Sequence, residues 1–330
     1  MALAASTLQS LTQGAEADAW GTIINHVVEI ASKPLTAENA PNEVLKRDRE
    51  IGELDLFLSS SAWDLWQSFG DSVERTSDRL VRWWAEPFSA KAVLILDGLS
   101  LRELPWLLQG ASARGFTLHE ATACASELPG ETDEFARALG FPSRSKLQNN
   151  GGGLAHKLQP AQTESVNLPW KDCESLIGSA PNQVFWHHWP DARLHDVSGQ
   201  GQGLDLLTKD VAEQLGSDGF WAFVERLATG RRLVITSDHG YANTGYFYND
   251  DEVGDFLKKT FANGRSKPGT GDTGPFAPPV VLQINNSHGD HLLALGRRKW
   301  SKGSYPTLTH GGLSLLEVLS PFIELTKAGD

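Results

Sequence analysis

The spacing of apolar positions changes character near residue 90. From Ala15 to Trp84 they recur at intervals of three and four: Trp20, Ile23, Ile24, Val27, Val28 and Ile30, then Ile51, Leu54, Phe57 and Leu58, then Trp63, Trp66 and Phe69. Such spacing lines one face of a helix. Pro34 and Pro41 punctuate the pattern, so it predicts about three helices. Trp63, Trp66, Trp83 and Trp84 read as packing residues, since no chemically active side chains gather around them.

From Lys91 onward short branched runs alternate with helical stretches. Ala92 to Leu96 (AVLIL) predicts a buried strand, followed by a helix over Leu101 to Arg114 and a strand over Phe116 to Ala121. Val184 to Trp186 and Leu233 to Thr236 repeat the strand signature, with helical pattern at Leu204 to Leu215 and Phe220 to Leu227. This order predicts an α/β fold: a largely parallel central sheet with helices on both faces. The expected organisation is a helical N-terminal appendage over 1–90 and an α/β domain over 91–330. Gln148 to Gln202, with the Val184 strand embedded in it, and Tyr241 to Pro279 read as long loops, being rich in Gly, Pro, Asn and Asp. No internal repeat is evident.

Composition narrows the class. Of 330 residues, 40% are hydrophobic and 21% charged, which is ordinary globular material and excludes a chain disordered throughout. The net charge of −12 gives little support to a protein held on nucleic acid by phosphate neutralisation. Cys124 and Cys173 fit no metal spacing and read as buried thiols. With no secretory leader pattern and no apolar run of the ~18–20 residues that span a bilayer, a cytoplasmic location without membrane contact is expected.

Ligands of open α/β sheets sit beyond the carboxyl ends of the strands, and the reactive side chains fall there. Asp97-Gly98 follows the AVLIL strand; alone it reads as a turn. Ser237-Asp238-His239-Gly240 follows the Leu233 strand and sets a carboxylate beside an imidazole. Asp191 and His195 stand at i and i+4, able to converge on one ion from a single helix face, although a surface ion pair has the same spacing. His310 precedes Gly311 and Gly312 on a glycine-rich loop, and Ser314 with Glu317 forms a capping box opening a helix over Leu315 to Leu319. Together Asp97, Asp191, Asp238, His195, His239 and His310 supply a mixed Asp/His set suited to two ions, zinc or manganese, with positions left open. Paired ions stabilise both oxygens of an in-line displacement at phosphorus.

The order of these motifs resembles the alkaline phosphatase superfamily. LPGETDEFARAL at Leu128 to Leu139, VITSDHG at Val234 to Gly240 and HGGLSLLEVLSPFIEL at His310 to Leu325 are similar to the PglZ domain of phage-defence systems of the BREX type and of PorX-like response regulators. The similarity covers roughly Lys91 to Lys327. It implies an alkaline-phosphatase-like domain in which Asp191, His195 and His310 hold one ion, and Asp97, Asp238 and His239 the other. It implies a hydroxyl nucleophile in the segment L-P-[ST]-x-T; here Gly130 replaces the first hydroxyl residue, leaving Thr132, which would start a helix whose N-terminal amides favour negative charge. Thr122, Ser126 and Ser237 are weaker candidates for the nucleophile.

Arg297 and Arg298, with Lys299, form a short basic cluster able to receive a phosphate. His187 and His188 lie near Asp191 and could support a ligand; His288 and His291 flank Asp290, a pattern set aside because the ligand set is already complete. The function implied is a two-metal phosphohydrolase, a phosphodiesterase acting on nucleotide or oligonucleotide phosphodiesters, within a defence or signalling complex with protein partners. The alternatives are a phosphomonoesterase or sulfatase, and a degenerate domain acting as a partner-binding subunit.

Overall fold

A computed structural model describes residues 16–36, 38–147, 155–199, 203–300 and 305–327. The predicted glycine run Gly151 to Gly153 lies outside them. The chain begins with four helices, α1 (Glu16–Ala31), α2 (Ala40–Ser60), α3 (Leu65–Ser72) and α4 (Thr76–Trp84). It then enters β1 (Lys91–Leu96), α5 (Leu104–Ala113), β2 (Phe116–Ala125) and α6 (Thr132–Ala138). Next come β3 (Gln162–Val166), α7 (Trp170–Glu174), β4 (Gln183–His187), α8 (Asp191–Val197), α9 (Gly203–Gly216), α10 (Asp218–Ala228) and β5 (Arg232–Thr236).

A six-stranded sheet runs in the order β2-β11-β5-β1-β4-β3, where β11 is Leu319–Lys327. β1 pairs in parallel with β4 and β5, and β3 with β4; β11 pairs antiparallel with both β2 and β5. Five strands therefore point one way, and their carboxyl ends lie along one edge of the sheet. β1 is buried throughout, and its side chains alternate between two cores as strand geometry requires. Leu94 and Leu96 join one apolar cluster with Trp20, Leu54, Leu207 and Phe223, while Val93 and Ile95 join another with Trp83, Phe135 and Trp186. Helices thus cover both faces.

Helices α1 to α3 share the first of these cores. Trp20, Trp66 and Phe69 pack edge-on, with Trp20 centroids 5.1 and 4.8 Å from the other two rings. A buried ionic network ties α2 to the functional end of the sheet. Asp48 accepts from Arg102 and from Arg297 at 2.9 Å; Asp55 accepts from Arg297 at 2.7 Å and from the Leu315 amide at 2.8 Å. Arg102 also donates to the Tyr241 carbonyl at 2.7 Å, directly after the SDHG motif.

Three elements differ from the sequence pattern. The helix expected over Leu315 to Leu319 is a single turn, α12 (Leu315–Val318), and the chain continues as the antiparallel strand β11. Pro321 lies just outside the ladder with β5, which starts at Phe322, so its missing N–H is tolerated. Ser314 does not cap that turn; its hydroxyl donates to the Glu317 carboxylate at 2.5 Å, which Arg265 also holds. The stretch Tyr241 to Pro279 is no open loop. It contributes β6 (Tyr248–Asn249), α11 (Gly254–Phe261) and β7 (Ser266–Pro268) to a small lobe completed by β8 (Val281–Asn286), β9 (Gly289–Ala294) and β10 (Arg298–Lys299). Leu257, Phe261, Val281, Leu292 and Trp300 give it an apolar cluster of its own. β3 was hidden in the other predicted loop because QTESV carries one branched apolar residue, yet its last four positions are buried. Cys124 and Cys173 are free and buried. Among the described residues no helix is long and apolar enough to cross a membrane.

Candidate metal centre

Three of the reactive positions follow strand ends directly or nearly so, and His310 comes from a loop. Asp97 follows β1, Asp191 opens α8 after β4, Asp238 and His239 follow β5, and His310 sits on the loop before α12. Gly98 makes the approach possible: its φ is +69°, and a Cβ there would lie 3.0 Å from Cβ of Asp191.

Two sets of donor atoms converge. Asp191, His195 and His310 form one, Asp97, Asp191 and His239 the other, each within 4.8 Å, so Asp191 belongs to both. His195 Nε2 is 3.4 Å from Asp191 Oδ1, and His310 Nε2 is 4.0 Å from the same oxygen. His239 Nε2 is 3.4 Å from Asp238 Oδ2 and 3.9 Å from Asp97 Oδ1. Asp238 joins through this contact with His239, and its Oδ1 accepts from the Gly98 amide at 2.9 Å.

The chemistry of the donor set fits cations. Asp191 Oδ1 and Asp238 Oδ2 are buried carboxylate oxygens with no hydrogen bond, although imidazole nitrogens stand nearby. Leaving such oxygens unpaired is costly. Ligand bonds of ~2.0–2.2 Å arranged tetrahedrally separate neighbouring donors by ~3.3–3.6 Å, the spacing of donors that share an ion rather than a hydrogen bond. The imidazoles are also oriented for ligation. His239 Nδ1 donates to the Gly240 carbonyl at 2.8 Å and His310 Nδ1 to the Gly130 carbonyl at 3.0 Å, which turns both Nε2 atoms toward the carboxylates.

Electrostatics agree. Burial, with Asp238 and Asp191 close by, pushes the Asp97 carboxyl well above its ordinary range. Burial opposes charge on His239, but Asp238, Asp191 and Asp97 outweigh it and raise the imidazole to about 9. Burial also opposes charge on Asp191, where the neighbouring imidazoles of His195, His239 and His310 prevail and lower it. Burial and His239 lower His310. Three crowded carboxylates raise the affinity of their neighbours for positive charge, as the His239 imidazole shows.

Thr132 is the first helical residue of α6, with Glu131 at the cap position. Its Oγ1 lies 3.3 Å from Asp97 Oδ1 and 3.4 Å from His239 Nε2. Gly130 suits its place: a Cβ there would stand 3.2 Å from Ser126 Oγ and 3.4 Å from Cβ of His239. The other hydroxyls have different employment. Ser237 Oγ is buried and donates to the His239 carbonyl at 2.7 Å, and Ser126 Oγ donates to the Glu127 carbonyl at 3.0 Å. Thr122 lies within β2.

A cleft of about 540 Å³ opens over the cluster, lined by Thr132, Arg144, His188, Asp191, His195 and His310 among others. Arg144 is the residue the sequence reading missed. Its guanidinium pairs with Asp97 Oδ2, which also accepts from Trp186 Nε1 at 3.0 Å, so Asp97 turns Oδ1 to Thr132. Arg144 lies beyond α6 in a short 3-10 turn with no motif around it.

Arg297 and Arg298 are not brought to this cleft. Arg297 is bound to Asp48 and Asp55, and Arg298 to Asp250 at 2.9 Å, so both guanidinium groups serve the architecture. His188 lines the cleft with Nε2 3.0 Å from Ser165 Oγ, whereas His187 is buried with Nε2 2.8 Å from the Leu168 carbonyl. His288 lies between Glu127 and Glu134 at 2.8 and 2.9 Å, apart from the donor sets.

No protein-family model matches the sequence, and no curated protein matches it. The PglZ resemblance therefore rests on the motifs themselves. Solved structures to which the chain is similar include murine ectonucleotide pyrophosphatase/phosphodiesterase 5, at TM-score 0.43 and 12% identity, covering 72% of this chain and 88% of that one. They also include an inactive variant of the same murine protein in complex with AMP, at TM-score 0.42 and 11% identity, covering 71% and 87%.

Proposed function

We propose that the chain is a phosphodiesterase dependent on two divalent cations, with Thr132 as nucleophile. The observation that carries this reading is the place of Thr132 Oγ1, 3.3 Å from Asp97 and 3.4 Å from His239, at the edge of two Asp/His donor sets that share Asp191. Asp191, His195 and His310 would hold one cation, and Asp97, Asp238 and His239 the other, with Asp191 placed to reach both. Asp and His donors suit zinc or manganese. When bound, such a pair supplies Lewis-acid stabilisation of the attacking and leaving oxygens.

The protein's own part is positional. The hydrogen bonds from His239 Nδ1 and His310 Nδ1 to backbone carbonyls hold two imidazoles in one tautomer. Arg144 and Trp186 fix the Asp97 carboxylate through Oδ2. Thr132, on the first turn of a helix whose Phe135 and Ala136 are buried in the core, has its hydroxyl set at a fixed point of the cleft. Attack forms the Thr132 Oγ–P bond as the hydroxyl proton passes to water. The P–O bond to the leaving alcohol breaks, and that oxygen takes up a proton. Water then attacks phosphorus in a second displacement, releasing the phosphoryl product and restoring the threonine. Arg144, already anchored, is the guanidinium in the cleft able to meet a non-bridging oxygen.

Nucleotide or oligonucleotide diesters are the proposed substrates, and a defence or signalling complex the proposed setting; both are supported by the motif resemblance. The test is hydrolysis of an activated aryl phosphodiester, the matching monoester and a sulfate ester by zinc- or manganese-loaded protein. Thr132→Ala and Asp238→Ala serve as controls. The expected result is metal-dependent turnover, fastest on the diester and lost in both variants. Bound metal without turnover of any ester would instead identify a binding subunit.

A further inference from the structure

We propose that Glu131 sets the charge of the substrate, admitting a singly charged phosphodiester and disfavouring a doubly charged phosphomonoester; this rests on the phosphodiesterase reading above. Glu131 immediately precedes Thr132 and lines the same cleft. Its carboxylate is held in place: Oε1 accepts from Ser266 Oγ of the small lobe at 3.1 Å, and Oε2 lies 3.4 Å from His310 Nδ1. Gly311, at φ +95°, passes beside it where a Cβ would come within 2.6 Å of Oε1. One negative charge is therefore fixed on the His310 side of the nucleophile, while Arg144 stands on the Asp97 side.

The charge balance gives that carboxylate its effect. The carboxylates of Asp97, Asp191, Asp238, Glu131 and Asp133 and the guanidinium of Arg144 reach formal neutrality once two divalent cations are bound. No net positive charge then remains in the site, so each added negative charge on the substrate is uncompensated and a second one costs more than the first. A phosphodiester carries one charge, whereas a monoester near neutral pH carries close to two. The extra charge meets Glu131 across a partly hydrated cleft, a repulsion worth roughly tenfold in kcat/KM. Glutamine keeps the acceptor for Ser266 and removes only the charge.

The test compares ion-loaded wild type with Glu131→Gln on a matched aryl diester and monoester, and measures inorganic phosphate binding by calorimetry. The expected result is a monoester-to-diester ratio of kcat/KM raised by about tenfold, with phosphate bound correspondingly tighter. Ser266→Ala frees the carboxylate to swing away and serves if Glu131→Gln does not fold; it shifts ratio and affinity in the same direction. Diester turnover with an unchanged ratio and unchanged phosphate affinity overturns the role of Glu131 and leaves the phosphodiesterase reading standing. Wild-type protein that turns over no diester overturns that reading instead, and phosphate affinity alone then decides the role of Glu131.

Discussion

The imidazole of His239 stacks on that of His310, with ring centroids 4.3 Å apart and planes 23° from parallel. The two residues come from different loops, one after β5 and the other before α12. Each commits Nδ1 to a backbone carbonyl, so the stacked pair presents two Nε2 atoms to Asp191, Asp97 and Asp238. Candidate ligands brought together in this way form a preformed arrangement.

Replacing the proposed nucleophile should remove the chemistry and spare the fold. Thr132 is part-buried and its hydroxyl contacts Asp97 and His239 of the donor sets, so Thr132→Ala is expected to lower kcat by about a thousandfold or more. Thermal melting should stay near wild type, and Thr132→Ser should retain turnover. Steady-state kinetics with circular dichroism checks both.

Metal content should follow the sharing of Asp191. Because Asp191 belongs to both donor sets, Asp191→Ala is expected to lose more bound metal per chain than His195→Ala, as read by elemental analysis after dialysis. Chelation should also lower the melting temperature. A cation present at a hundred times its Kd stabilises the folded state by about 2.7 kcal/mol, and the unpaired oxygens of Asp191 and Asp238 lose their partner when it leaves.

Arg297 is a test of architecture against substrate binding. Its guanidinium compensates Asp48 and Asp55 in the interior, so Arg297→Ala is expected to cost about 3–5 kcal/mol in urea unfolding. KM of the protein that remains folded should be unchanged. A raised KM with unchanged stability would return Arg297 to the substrate site.

Stability should fall as pH rises from about 4.5 to about 7, through Glu103. Burial raises this carboxyl to about 7, and its Oε1 accepts from Tyr241 Oη at 2.7 Å. A folded pKa above the unfolded value means that the native state holds the proton more tightly. The contribution is complete below pH ~4.5 and lost by pH ~7, on the order of 3 kcal/mol. Glu103→Gln should flatten that part of the pH profile in denaturant titrations.

The sheet and most of the candidate centre were legible because they rest on short, local signals. AVLIL and LVIT declare buried strands, and Asp97 and Ser237-Asp238-His239 follow them directly. Asp191 and His195 share a face of α8 by helical period alone. What was hidden depends on distant partners. Arg144 has no local pattern and acquires its role only by reaching Asp97, 47 positions earlier. Arg297 and Arg298 looked like a free basic cluster because Asp48, Asp55 and Asp250 are far away in sequence. The helix expected over Leu315 to Leu319 hides the start of β11, because LSLLEVL carries helical spacing for one turn before pairing with β2 and β5 takes over.

The central claim is that phosphorus is transferred through Thr132, and the stereochemical course at phosphorus tests it most directly. With a phosphorothioate diester of known configuration hydrolysed in isotopically labelled water, two successive in-line displacements predict net retention in the wild-type protein. Net inversion would show direct attack by water and contradict a threonine intermediate.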